Sequence, residues 1–170
     1  MIIKKFIKFL NRGYDYVNKM LLDFIMFAEF DESESPLIKV KMNNVPESDY
    51  EFNSFLDKWS ELYEKRRDFK FLFDTTNVGL PHIKYSIKMS QFIKELKKKE
   101  YQYLQESIIL INNNKVKWLL DFIFTIQPPV APVYIYNIEN GLENPLNLET
   151  IKNNDQTEKV EPGKSWLPIL

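Results

Sequence analysis

Phe69-Lys-Phe-Leu-Phe73, Ser107-Ile-Ile-Leu-Ile111 and Val133-Tyr-Ile-Tyr136 are three short apolar runs, and two segments of helical length separate them. Apolar runs that alternate with helical patterns mean strand–helix crossovers, and such crossovers join parallel strands. The stretch 69–136 therefore predicts an α/β fold. Phe69, Phe71 and Phe73 share one face of a period-two strand. The run 107–111 is apolar on both faces, which predicts a central strand covered on two sides.

Working outward, residues 46–49 predict the start of a long helix. Phe52, Phe55, Leu56, Trp59, Leu62 and Tyr63 recur at helical spacing, against Asp57, Lys58, Glu61, Glu64 and Lys65 outside. A stripe of that kind is core, so Trp59 is read as packing rather than as a ligand platform. Residues 37–42 alternate, with Ile38, Val40 and Met42 on one side and Lys39 and Lys41 on the other. With a strand at 24–30 and a polar turn at 31–36 they predict an antiparallel hairpin. A helix at 83–99 carries Tyr85, Met89, Phe92, Ile93 and Leu96 inward and ends in lysines that suit the helix dipole. Asn112 to Asn114 can turn the chain and cap the next helix, 116–126, which Pro128 and Pro129 end. The predicted order is β-β-α-β-α-β-α-β, with about five strands in a mixed sheet and the helices packed on it. Residues 1–20 form an amphipathic N-terminal segment, 21–137 the α/β domain and 138–170 an irregular, Asn-rich tail.

Composition removes several functions. Aromatics make up 15% and apolar residues 44% of the 170 residues, which argues for a folded chain. The formal charge is −1, so no global field favours nucleic acid. With no cysteine and a single histidine, His82, thiolate sites and most zinc or triad chemistry are out of reach. The absence of cysteine fits a reducing compartment. No run reaches the roughly 20 apolar residues of a membrane span, and lysines interrupt the apolar N-terminus where a signal peptide would need continuity. The expected location is the cytoplasm or a virus particle, neither secreted nor transmembrane.

Phe71-Leu-Phe-Asp74, Leu80-Pro81, Met89-Ser-Gln-Phe-Ile93, the run 107–111, Trp118-Leu-Leu-Asp-Phe-Ile-Phe124, Gln127-Pro-Pro129 and Pro132-Val-Tyr-Ile135 together resemble the STAS-like family, which includes the SpoIIAA-like and STAS/SEC14-type domains. The resemblance spans about residues 24–136 and rests on apolar patterns. It implies the fold and a partner-binding role. The bacterial regulators of this family carry a phosphorylatable Asp-Ser pair at the start of the helix after the third strand. Here that place holds His82-Ile83-Lys84, with no hydroxyl at the switch position.

No set of residues composes a catalytic site, so the chain is read as a non-enzymatic interaction or scaffold module without a cofactor or metal. The best polar cluster is Asp74, Thr75, Thr76 and His82 at a strand's carboxyl end. It lacks a nucleophile with a base, a metal set and a phosphate cradle, and capping or loop ordering explains it as well. The candidate partner interface is Trp118, Phe122 and Phe124 on the fourth predicted helix, joined by Trp166, Leu167 and Leu170 at the C-terminus. That terminal segment either docks on a partner or folds back on its own domain. Ile3, Phe6, Ile7 and Leu10 share one side of a basic helix at 1–12. They serve either as a membrane-surface face in a peripheral lipid-binding protein or as a cover for apolar protein surface. A structural component of a larger assembly such as a virion is a third reading.

Overall fold

The computed structural model describes residues 27–140 and 147–163. The elements follow as β1 (Ala28–Glu34), β2 (Leu37–Met42), α1 (Asp49–Glu64), β3 (Phe69–Asp74), α2 (Ile83–Leu96), β4 (Leu104–Ile111), α3 (Asn114–Ile126) and β5 (Val133–Asn137). A 3-10 turn (Ile138–Asn140), α4 (Leu148–Lys152) and β6 (Glu158–Val160) complete the described chain. The six strands form one mixed sheet in simple chain order. Strands β2 to β5 run parallel, and β1 and β6 pair antiparallel at the two edges.

Chain order decides where the helices go. Crossovers between parallel strands are right-handed, and three taken in the same direction put their helices on one face. Side-chain alternation agrees. Phe69, Phe71, Phe73, Ile109, Val133 and Ile135 pack on one side against α1, α2 and α3. Leu72, Ile108, Leu110 and Tyr136 point the other way and pack with Ile151 of α4. Strand β4 is thus apolar on both faces because both are covered, as its sequence requires.

The long helix α1 begins where its chemistry allows. Ser48 is extended and its Oγ accepts from the Glu51 N–H at 3.2 Å, while the Glu51 carboxylate accepts from the Glu47 N–H at 2.7 Å. Two backbone donors that the helix cannot satisfy are thereby satisfied. The apolar stripe of α1 then lays Phe52, Phe55 and Trp59 on the sheet, with the Trp59 ring edge-on to Phe71 at 4.8 Å. Arg66, at φ +50°, closes the helix in the left-handed region where glycine is usual.

Three expectations change. Within the described residues β1 starts at Ala28 and runs to Glu34, through the acidic stretch assigned to a turn. An edge strand tolerates such residues, and here Asp31 faces Lys39 while Glu34 pairs with the Lys39 ammonium. Helix α2 ends at Leu96, not at 99, because Lys98 and Lys99 donate to carbonyls three residues back and tighten the chain into turns. The tail is not irregular throughout. Asn147 caps α4 by accepting from the Glu149 and Thr150 N–H groups, and β6 adds a sixth strand by pairing Val160 with Val133.

Candidate functional site

The polar cluster lies at the carboxyl edge of the parallel strands, and each member has a local task. Asp74 Oδ1 accepts from the Thr76 N–H at 3.0 Å and from the Thr76 hydroxyl at 2.6 Å. Thr75 is buried and its hydroxyl donates to the Leu110 carbonyl at 2.6 Å. His82 is the N-cap of α2, its Nδ1 accepting from the Lys84 N–H at 3.1 Å. Asn112 donates to the Thr76 carbonyl at 2.7 Å and so ties the two neighbouring loops together. Asn113 caps α3 through the Lys115 and Val116 N–H groups. These bonds order loops: Asp74 and Thr76 bond each other, while Thr75 and His82 act on separate backbone groups. Open α/β sheets place ligands at this edge where the strand order reverses, and this order never reverses. Among the described residues no group of three acidic or imidazole side chains could hold a metal ion.

The helical layer carries a second candidate. On α3, Trp118, Phe122 and Ile126 are spaced four apart and form one row. Trp118 is 53% exposed and Ile126 51% exposed, and the Trp118 and Phe122 rings stack at 5.8 Å with planes 19° apart. Phe124 does not belong to this row. It is 5% exposed and packs in the core with Val116. Helical positions two residues apart lie about 200° apart around the axis, so Phe122 and Phe124 cannot share a face. The expected interface therefore loses Phe124. Trp166, Leu167 and Leu170, like Ile3, Phe6, Ile7 and Leu10, lie outside the described residues.

Helix α2 extends the row. Ser86 and Ser90 are buried where α2 meets α3, and the Ser90 hydroxyl donates to the Ser86 carbonyl at 2.9 Å and reaches the Ile123 carbonyl at 3.4 Å. Small side chains there let the helices approach. On the far side of α3, Lys117 reaches Glu158 of β6 at 2.9 Å, which leaves Trp118, Phe122 and Ile126 to face outward toward α2. Ile83 and Ile87 stand next to the serines around α2 and are exposed, as is Leu80 before the helix. Sequence reasoning missed Ile83, Ile87 and Ile126. The signal available was the spacing of four in each pair, out of phase with the core positions of the same helix.

Three of the five lysines of α2 and α3 are paired: Lys84 and Lys88 with Asp49 of α1, and Lys117 with Asp121 and with Glu158 of β6. Asp49 of α1 sits between Lys84 at 3.0 Å and Lys88 at 3.1 Å. Hydrogen bonds from Lys84 and then Lys88 hold its carboxyl below the usual carboxylate range, and Asp49 in turn raises Lys84.

Among the described residues no helix is long and apolar enough to cross a membrane. No protein-family model, curated protein or solved structure matches the chain.

Proposed function

We propose that the chain is a non-enzymatic protein-interaction module with a STAS-like fold, whose partner docks on the exposed rows of α2 and α3. The observation that carries this reading is the Trp118–Phe122 stack, left half in solvent beside Ile126, Ile83 and Ile87. Isolated exposed apolar residues are ordinary, but a row that begins with a half-exposed tryptophan stacked on a phenylalanine has the composition of an interface anchor. Lys94 and Lys115, at the helical positions of the same rows, favour an amphipathic partner segment with acidic flanks. The STAS-like reading is supported by the β-β-α-β-α-β-α-β order and the shared helical face.

Crosslinking mass spectrometry on the full chain tests the docking face. Partner peptides linked to Lys84, Lys94 or Lys115 should be lost in Phe122→Asp while the denaturation midpoint stays within experimental error. The same variant keeping the same crosslinks would end this reading. Phe124→Asp is the control and unfolds the domain, because it places a charge in the core.

A further inference from the structure

A half-open pocket lies between the helical face of the sheet and the three long helices. Trp59 of α1, Phe73 and Ile109 of the sheet, Met89 of α2 and Leu119 and Leu120 of α3 contribute to its wall. No charged side chain does so among the described residues. Met42, Met89, Leu120 and Ile123 are only half-buried, so apolar wall is left facing the open side. Apolar surface left in water is unfavourable, and protein interiors keep few such gaps.

Where the chain enters the fold points to the occupant. Phe27 is a wall residue, and its carbonyl accepts from the Asn43 N–H at 3.0 Å, next to the wall residue Met42. The chain before Phe27 therefore departs from the pocket itself. The stretch that precedes it, Met20-Leu-Leu-Asp-Phe-Ile-Met26, is apolar except for Asp23. From Leu22 to Phe27 an extended chain spans about 17 Å, and packed helices stand only about 8–10 Å apart, so reach is no obstacle. A short tether also holds the segment at an effective concentration of millimolar order, which a second copy or a free peptide does not match.

The polar chemistry of the wall agrees with a polypeptide occupant. Ser86 is 3% exposed and lines the same pocket. Its carbonyl accepts from the Ser90 hydroxyl, but its own hydroxyl makes no hydrogen bond among the described residues. A buried hydroxyl ordinarily has a partner. A peptide segment brings backbone carbonyls into an apolar pocket, whereas a hydrocarbon brings no acceptor. The other wall hydroxyl, that of Thr75, is committed to the Leu110 carbonyl.

We propose that this pocket is the docking site of the chain's own segment 20–26, which inserts Leu22 and Phe24 among the wall residues and offers a backbone carbonyl to the Ser86 hydroxyl. Leu22 and Phe24 alternate with Asp23, so both enter while the carboxylate stays at the open side, away from a wall that holds no counter-charge. No residue of the outward rows of α2 and α3 lines the pocket, so this docking stands apart from the partner face and its test needs no partner.

The chain has no cysteine, so one introduced thiol reports its own burial. In the full chain, the thiol of Leu22→Cys should react with an aromatic disulfide reagent roughly tenfold or more slowly than in the urea-unfolded chain, as a docked segment opens only locally. Adding Ser86→Ala should speed the folded-state reaction about five- to tenfold, the worth of one hydrogen bond. NMR of the native chain with labelled leucine and methionine methyls should show a nuclear Overhauser contact between Met89 and Leu22, assigned by its loss in Leu22→Cys. A mixture of labelled and unlabelled chains should place that contact within one molecule. The proposal is overturned by a Leu22→Cys thiol that reacts as fast folded as unfolded, or by a rate that Ser86→Ala leaves unchanged. It is equally overturned by the absence of the Met89 contact, or by a contact that joins two chains, which would make the occupant a second copy. Should the Ser86→Ala variant fail to fold, the Leu22→Cys rate and the Met89 contact still decide.

Discussion

The two faces of the sheet are built by different means. On the helical face, three long helices join one core with the sheet, α1 presses the rings of Phe55, Trp59 and Tyr63 onto Phe69, Phe71 and Phe73, and Phe71 is fully buried. On the opposite face a small apolar centre of Leu72, Ile108, Leu110 and Tyr136 is joined by Ile151 and Leu148 of the five-residue α4. Around that centre the sheet is charged: Glu106 bonds Lys70 at 2.8 Å and Lys152 of α4 at 3.2 Å. Bulk burial holds the first face, whereas a few contacts and an ion-pair bridge hold the second. A face of the second kind should open before the first does.

Removing the centre of each face measures that asymmetry. Phe71 touches the rings of Trp59, Phe69 and Phe73 at centroid distances of 4.8, 5.2 and 4.7 Å. Phe71→Ala should cost about 3–5 kcal/mol by urea unfolding, since transfer and cavity terms add. Ile151→Ala should cost less, about 2–3 kcal/mol, at the low end of such truncations. In native-state hydrogen exchange it should expose the amides of α4 while those of α1 keep their protection. An Ile151→Ala penalty equal to that of Phe71→Ala would break the contrast between the faces.

The ion bridge gives the contrast a pH dependence. Burial pushes the Glu106 carboxyl up, but hydrogen bonds from Lys70 and Lys152 outweigh it and hold the carboxyl below its ordinary value of 4.5. A carboxylate with a depressed folded-state pKa adds stability that is present above its unfolded pKa and lost as pH falls through the folded one. Glu106→Gln should therefore destabilise by about 1 kcal/mol at neutral pH, discounted for partial exposure. The difference from the native chain should shrink in acid, below the ordinary carboxylate range. A difference independent of pH would mean that the bridge does not fasten α4.

The same division explains what was legible in the chain. Periodicity needs length, and α1, α2, α3 and the apolar strands supply it, so their order and inward residues could be read directly. A helix of five residues and a strand of three, at 148–152 and 158–160, are too short for a period to emerge from an Asn-rich background. They exist because β5 has an open edge and the second face has an apolar centre, both tertiary facts. The polar cluster was legible for a related reason: caps and turns are local, and Asp74, His82 and Asn113 act within three residues of themselves. The exposed rows were only half legible. An almost wholly apolar helix such as α3 does not disclose which of its sides meets the sheet until β6 and α2 take their places on either side of it.

Helix α3 repeats the contrast at the scale of single residues, and there the stability effect should be smallest. Leu119 and Phe124 fasten it to the core, whereas Trp118 is held by one stacking contact and by solvent. Trp118→Ala should change the unfolding free energy by no more than about 0.5 kcal/mol, as for an exposed substitution. Its consequence should lie in association, with the linked partner peptides lost at unchanged fold, because a truncated anchor removes binding energy that the folded monomer never used. A loss of stability near that of Ile151→Ala would instead make Trp118 part of the fold and move the docking face away from this row.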